Sequence, residues 1–401
     1  MKKEPSNKNA GNGADGKVRG PVLVDNREAR RRARKARRRR RMAAGIFLLA
    51  ALLLMIFRED IDFYRLRRCL TGEGQETVER FAVDFDTNGA LALGASRENV
   101  VLCSGSVLAV YRQDGSQRLS ETVSLSNPAI ATADQYALVY DRGGSNVYLA
   151  GAGSLSCTME SETPVLTGDV GKNGSFAIVT SPPEALSAVE VYSRAGRLRY
   201  RFVSSSSYIS GVAVSNDGDC LAVAGFSVSE AKLSGVLRFL DTSSEQPTAE
   251  VLLPDELILD IGRTGDALFV VTDCALRIYD LKSGQLESEI GFDGQHLLHY
   301  TLSDSEGAVL TLGRYTVGQG STLLHYGADG ELKGSTVLEQ DVQALSAGHG
   351  RVLALLGDGA MLFDANAALL EERQVASVRA GVLLKGGVAA LVDGSGVLLL
   401  P

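Results

Sequence analysis

Four histidines and five cysteines are the residues from which a metal centre or a nucleophilic site would have to be built. The histidines are His296, His299, His325 and His349. His296 and His299 stand three apart, a spacing that sends the two rings to opposite faces of an alternating strand and makes no metal site. The cysteines are Cys69, Cys103, Cys157, Cys220 and Cys274. None forms a C-x-x-C pair, and their spacings resemble no zinc site. Cys103, Cys220 and Cys274 lie in or beside apolar runs, where a free thiol behaves as a small buried hydrophobe. An odd, sparse set is no disulfide framework. Without a histidine partner the many serines are not nucleophile candidates, and no G-x-S-x-G elbow, H-E-x-x-H helix or P-loop is present.

Asp-Gly dipeptides recur at Asp114, Asp217, Asp293, Asp329, Asp358 and Asp393. Calcium binding would be the sharp reading. One carboxylate per turn falls short of the six to eight oxygens that calcium takes, and Asp-Gly is itself a hairpin-turn signal. The expectation is no catalytic residue, no metal and no cofactor, with binding residues unassigned. Carboxylates assembled from different repeats into a paired-acid site are invisible at this level.

These residues sit in a chain of two unlike parts. Residues 1–41 carry 16 Lys+Arg and 4 Asp+Glu, whereas the remaining 360 residues carry 25 and 44. The acidic body argues against nucleic-acid binding, which needs a positive surface. Residues 1–41 read as a disordered basic tail, because their composition buries too little to offset ordering entropy. Eleven of the fifteen residues from Arg27 to Arg41 are basic, and sixteen uncharged residues follow, Met42 to Phe57. At about 1.5 Å per residue these reach nearly across a bilayer core, and Arg41 and Arg58 snorkel at the ends. A cleaved signal peptide is the rival reading, but no small-residue cleavage site follows the run. Residues 42–57 are therefore expected to be one transmembrane helix. Lys and Arg number eleven in the twenty residues before it and four in the twenty after it, which predicts a cytoplasmic N-terminus and an extracytoplasmic C-terminal domain. The Arg27–Arg41 block would set this topology and touch anionic lipid headgroups. Residues 58–76 read as a juxtamembrane linker.

Residues 77–401 repeat. Leu276-Arg-Ile-Tyr-Asp-Leu-Lys-Ser-Gly-Gln-Leu-Glu-Ser-Glu-Ile290 is an alternating strand, a glycine turn and a returning strand. Tyr111, Tyr148, Tyr192, Phe239, Tyr279, Tyr326 and Phe363 mark its copies, at a mean spacing of 42. A second kind of hairpin precedes most marks, as in Val212 to Ala224, so each repeat holds four strands, the period of a propeller blade. Inner strands such as Ala267–Val271 and Val352–Leu356 are apolar on both faces, as strands between neighbouring blades should be. Outer strands such as Leu286–Ile290 alternate. The C-terminal stretch supplies three strands, and Thr77–Phe85 is expected to close that last blade as its fourth. The prediction is an all-β, eight-bladed β-propeller over 77–401, with seven blades as the alternative.

The Ile278-Tyr279-Asp280 turn and the Ser215-Asn-Asp-Gly-Asp-Cys-Leu-Ala222 hairpin resemble the strand-turn elements of the WD40-like and TolB-like propeller superfamily. The plan of basic tail, span and ring is similar to an uncharacterised bacterial family of membrane-anchored propellers known as a domain of unknown function. The resemblance carries over no functional residue: the Trp of the WD dipeptide is Tyr or Phe here, and the Gly-His signature is missing. The expected function is a monomeric, non-enzymatic scaffold or sensor that presents a propeller face to a protein or cell-envelope partner. The alternative is an extracytoplasmic hydrolase or lyase using carboxylates at the central channel.

Overall fold

The structure, a computed structural model, describes residues 80–85, 89–151, 153–229, 232–313, 320–375 and 377–401. The expected tail 1–41, helix 42–57 and linker 58–76 lie outside these. Among the described residues no helix is long and apolar enough to cross a membrane.

The described chain forms eight four-stranded antiparallel sheets, so the ring has eight blades rather than seven. Their first strands are β2 (Leu91–Ser96), β6 (Pro128–Ala133), β10 (Val165–Val170), β14 (Tyr208–Val214), β18 (Ile258–Thr264), β22 (His296–Ser303), β26 (Val342–Gly348) and β30 (Ala380–Leu383). The apolar strands Ala267–Val271 and Val352–Leu356 are not innermost. They belong to β19 (Ala267–Thr272) and β27 (Arg351–Leu356), the second strands of their blades. Second strands are almost wholly buried because a blade lies against each of their faces. First strands line the channel and stay mixed, as in the partly exposed β18.

The core lies between blades. Leu237 and Phe239 on β16 (Lys232–Asp241) pack with Ile258, Leu268 and Tyr279 of the next blade. The aromatic marks fall on third strands, where a recurring one-residue bulge meets the fourth strand, for example at Tyr111, Tyr192, Tyr279, Tyr326 and Phe363. Blade two corrects the sequence alignment. Its bulge falls between Leu149 and Ala150, so Ala150 and not Tyr148 holds the equivalent position.

Closure follows the expected scheme. β1 (Arg80–Phe81) pairs with β32 (Gly396–Leu400) as the fourth strand of blade eight, with Arg80 opposite Leu398 and Phe81 opposite Val397. Arg80 also pairs with Asp393 at 2.8 Å. Gly396 holds a φ of +137°, and a Cβ there would strike the Phe81 carbonyl oxygen, so the close approach of β1 needs glycine.

First strands begin on the face that carries the turns between second and third strands, here called the hairpin face. In blade four those strands, β15 (Cys220–Ser229) and β16, run to ten residues each. Their far ends expose Val228 and Leu233.

Candidate functional site

The first strands of blades three to seven share a feature that hydropathy does not show. Each carries a bulge near its start, between Val165 and Thr167, Ile209 and Gly211, Ile258 and Asp260, Leu297 and His299, and Val342 and Ala344. The first strands of blades one, two and eight pair without one. A bulge breaks the alternation and re-aims the side chains beside it, here at the channel mouth on the hairpin face. Leu166 and Leu259, the extra residues in two of these strands, are exposed.

Several of the re-aimed residues border an open depression of about 580 Å³ at this mouth. Its wall draws on blades three to six, with Leu166 from β10, Tyr208 from β14, Phe226 from β15, Leu259 and Asp260 from β18, and Tyr300 from β22. Arg142, in a turn of blade two, also borders it. The Tyr208 and Phe226 rings stack with centroids 5.3 Å apart and an interplanar angle of 23°. Gly225 permits this, because a Cβ there would run into the Tyr208 carbonyl. The wall is mixed, with Thr167, Ser181, Ser187 and Ser210 beside the apolar and aromatic side chains, and its volume lies in the range of ligand sites.

The other mouth is bridged. Lys172, in a turn of blade three, lies 3.5 Å from Asp304 in a turn of blade six. These blades are not neighbours, so the ion pair reaches across the axis. Beside it the Arg263 guanidinium donates to Asn216 Oδ1 at 2.6 Å, and the Asn173 amide side chain donates to the Asp217 carbonyl at 2.6 Å. The far mouth is thus crossed by an ion pair, and the open depression on the hairpin face is here called the cup.

Two carboxylates stand along it. Asp260 meets solvent through the open mouth while protein surrounds its other sides. That burial pushes its pKa up to about 6; the Ile261 amide, 2.8 Å away, opposes the rise and the charge of Asp169 adds to it. Among the described residues no Lys or Arg forms an ion pair with Asp260. Asp169 lies deeper and is also shifted upward by burial, against the opposing charge of Arg263 and a 2.8 Å bond from the Val214 amide. Tyr300 is pushed up to about 12 by burial and then by Asp260.

The residues singled out in the sequence are elsewhere. The bulge between Leu297 and His299 breaks the alternation that was to separate His296 from His299. Burial lowers the pKa of His299. His325 is buried, its ring nitrogens 2.8 and 3.1 Å from the carbonyls of Ala365 and Glu306. Cys103 is a buried free thiol with its pKa pushed up to about 12 by burial. Cys157 and Cys220 are half-buried, and Cys274 is exposed in a turn rather than buried. In the Asp-Gly turns at Asp114, Asp217, Asp329 and Asp393 the carboxylate accepts a nearby backbone amide of its own turn. Glu256, Asp273 and Cys274 come close enough to hold an ion. The Arg277 guanidinium already lies 2.5 and 2.9 Å from the Glu256 oxygens, which puts a positive charge where a cation would sit.

Comparison with known proteins places the ring and leaves the cup unassigned. Residues 77–368 match a family described as a family of unknown function, DUF5711. No curated protein matches the chain. Among solved structures, the computationally designed Ika8 protein is similar with a TM-score of 0.55 and 14% identity, over 81% of this chain and 99% of that one. BamB from Moraxella catarrhalis gives 0.51 and 11% identity, over 80% and 98%. Apo AztD from Citrobacter koseri gives 0.51 and 12%, over 75% and 90%. At such identities the likeness is one of fold.

Proposed function

The chain belongs to the DUF5711 family of unknown function, and we propose that its propeller is a binding module that holds a partner at the cup on the hairpin face. One observation carries this reading: bulges in five consecutive first strands build a half-ring of re-aimed side chains around one open mouth. Blades one, two and eight pair their first strands without such a bulge, so the blade itself does not require it. Exposed apolar side chains around the mouth, with Val228 and Leu233 standing above it, suit contact with a protein surface.

In this reading residues 42–57 anchor the chain in the cell membrane, with residues 1–41 cytoplasmic and the ring extracytoplasmic as a scaffold or sensor of the envelope. The Arg27–Arg41 block rests against lipid headgroups. The charge asymmetry and the uncharged run between the two parts support it.

A photo-crosslinking amino acid in place of Leu259, in the full-length protein in cells, tests the binding role. It should trap a discrete partner that the same residue in place of Leu369, on an outer strand, does not trap. Identical products at both positions would sink the reading. Proximity labelling from the C-terminus tests the topology, and enrichment of cytoplasmic proteins alone would overturn it.

A hydrolase or lyase is the second reading, favoured by the raised pKa of Asp260. It ranks lower because Asp169, the nearest candidate for a second acid, is held by the Val214 amide and does not border the cavity.

A further inference from the structure

The chemistry of the cup specifies what it receives. Leu166, Leu259, Tyr208, Phe226 and Tyr300 supply the apolar and aromatic part of a mixed wall, and Asp260 is the one carboxylate among the bordering residues. Asp260 is exposed at the open mouth, so its charge can be reached by a cation brought by a ligand. Among the described residues no Lys or Arg forms an ion pair with Asp260: Arg263 is turned to Asn216, Lys172 is paired with Asp304, and Arg142 borders the depression from blade two. Aromatic faces beside a carboxylate attract a cation further, by the interaction of its charge with the ring quadrupole. Arg142, three blades from Asp260, offers donors to a carbonyl on the same ligand.

We propose that the cup binds the basic side chain of a peptide segment presented by a partner protein, with the ammonium or guanidinium against Asp260 and its apolar stem along Leu259 and Tyr208. This rests on the binding role above and adds the ligand class. A lysine stem carries enough methylene groups to cover an apolar wall while its charge sits at the polar end. The open mouth leaves the peptide backbone outside, beside Arg142 and the ten-residue hairpin of β15 and β16.

The chain contains no tryptophan, so a tryptophan-labelled probe can be followed without background. The probes are acetyl-Leu-Lys-Trp-amide, the same peptide with norleucine for lysine, and tryptamine, titrated by fluorescence anisotropy into the full-length protein in detergent. The lysine peptide should bind about tenfold more tightly than the norleucine peptide, and Asp260→Asn should erase the difference. Tryptamine, which has no peptide backbone for the rim, should bind more weakly than the lysine peptide. Tyr208→Ser, which keeps the carboxylate, should weaken both peptides together. Discrimination that survives in Asp260→Asn overturns the proposal, as does tryptamine binding equal to the lysine peptide. Equal binding of both peptides, lost in Tyr208→Ser, overturns it while leaving an apolar binding cup. Absence of binding by every probe also overturns it. The binding role itself falls if the Leu259 crosslinker traps no discrete partner or the same products as the Leu369 position.

Discussion

The Phe81 ring lies 5.3 Å from that of Tyr111, tilted by 37°, and this contact joins the eighth blade to the first. Phe81 is also part of the cluster holding Val100, Leu102, Val392 and Val397, residues from both sides of the seam. The pairing of β1 with β32 spans two residues, so side-chain burial does most of the sealing. Phe81→Ala should destabilise the ring by about 3 kcal/mol, read as a lower midpoint in urea, with Phe81→Leu losing less. A midpoint within error of the wild type would show that the seam does not depend on this ring.

Asp260→Asn should stabilise the protein at neutral pH. The folded pKa of about 6 lies above the ordinary 3.8, so the folded state binds the extra proton between these values. The stability tied to this group is therefore present below about pH 4 and is lost as pH rises through about 6. Because the carboxylate still meets solvent, the gain from the amide should be on the order of 1 kcal/mol at about pH 7.5. It should shrink toward zero near about pH 4. Melting temperatures across that range check it; a difference that does not change with pH would contradict it.

Arg277→Met should show the opposite sign. Hydrogen bonds from Arg277 hold the Glu256 carboxyl below its usual range. That stability is present above the ordinary Glu pKa and is lost as pH falls through the folded value. The substitution should cost about 2 kcal/mol near neutral pH, since it strands a partly buried carboxylate, and less in acid. An equal loss at both ends of the range would show that packing, not charge, is what Arg277 supplies.

Leu259→Ser and Leu166→Ser should leave stability within about 0.5 kcal/mol of the wild type, because both side chains are already exposed. Their effect should be on partner capture, measured by crosslinking from a neighbouring cup position. A large fall in melting temperature would mean that these residues support the ring rather than serve its mouth.

Blade number and closure were legible because they rest on local signals. Glycine turns and two-residue alternation survive without knowledge of the neighbours, and an unpaired strand at each end of the repeat region implies a seam. Tyr148 misled because an aromatic two residues from the right place satisfies the same pattern. The cup was not legible. Ile258-Leu-Asp-Ile261 reads as ordinary strand, and one extra residue in a short strand leaves the hydropathy unchanged while reversing which side chains face the axis. Asp260 gains its character from burial and from Asp169, ninety-one residues behind, and it acts in turn on Tyr300, forty ahead; no spacing rule joins them.

The seam also decides how the ring answers a mechanical load. β1 and β32 are antiparallel, so the start of one lies beside the end of the other. Tension between the two ends of the chain would therefore unzip this ladder one pair at a time, whereas a pull along the strands would load all its bonds at once. Such a tear must part Arg80 from Leu398 and Asp393 first and then draw Phe81 from its cluster. Traction along the chain ahead of Arg80 would open blade eight before it disturbed blades three to six, leaving the cup intact in a ring already parted at its join.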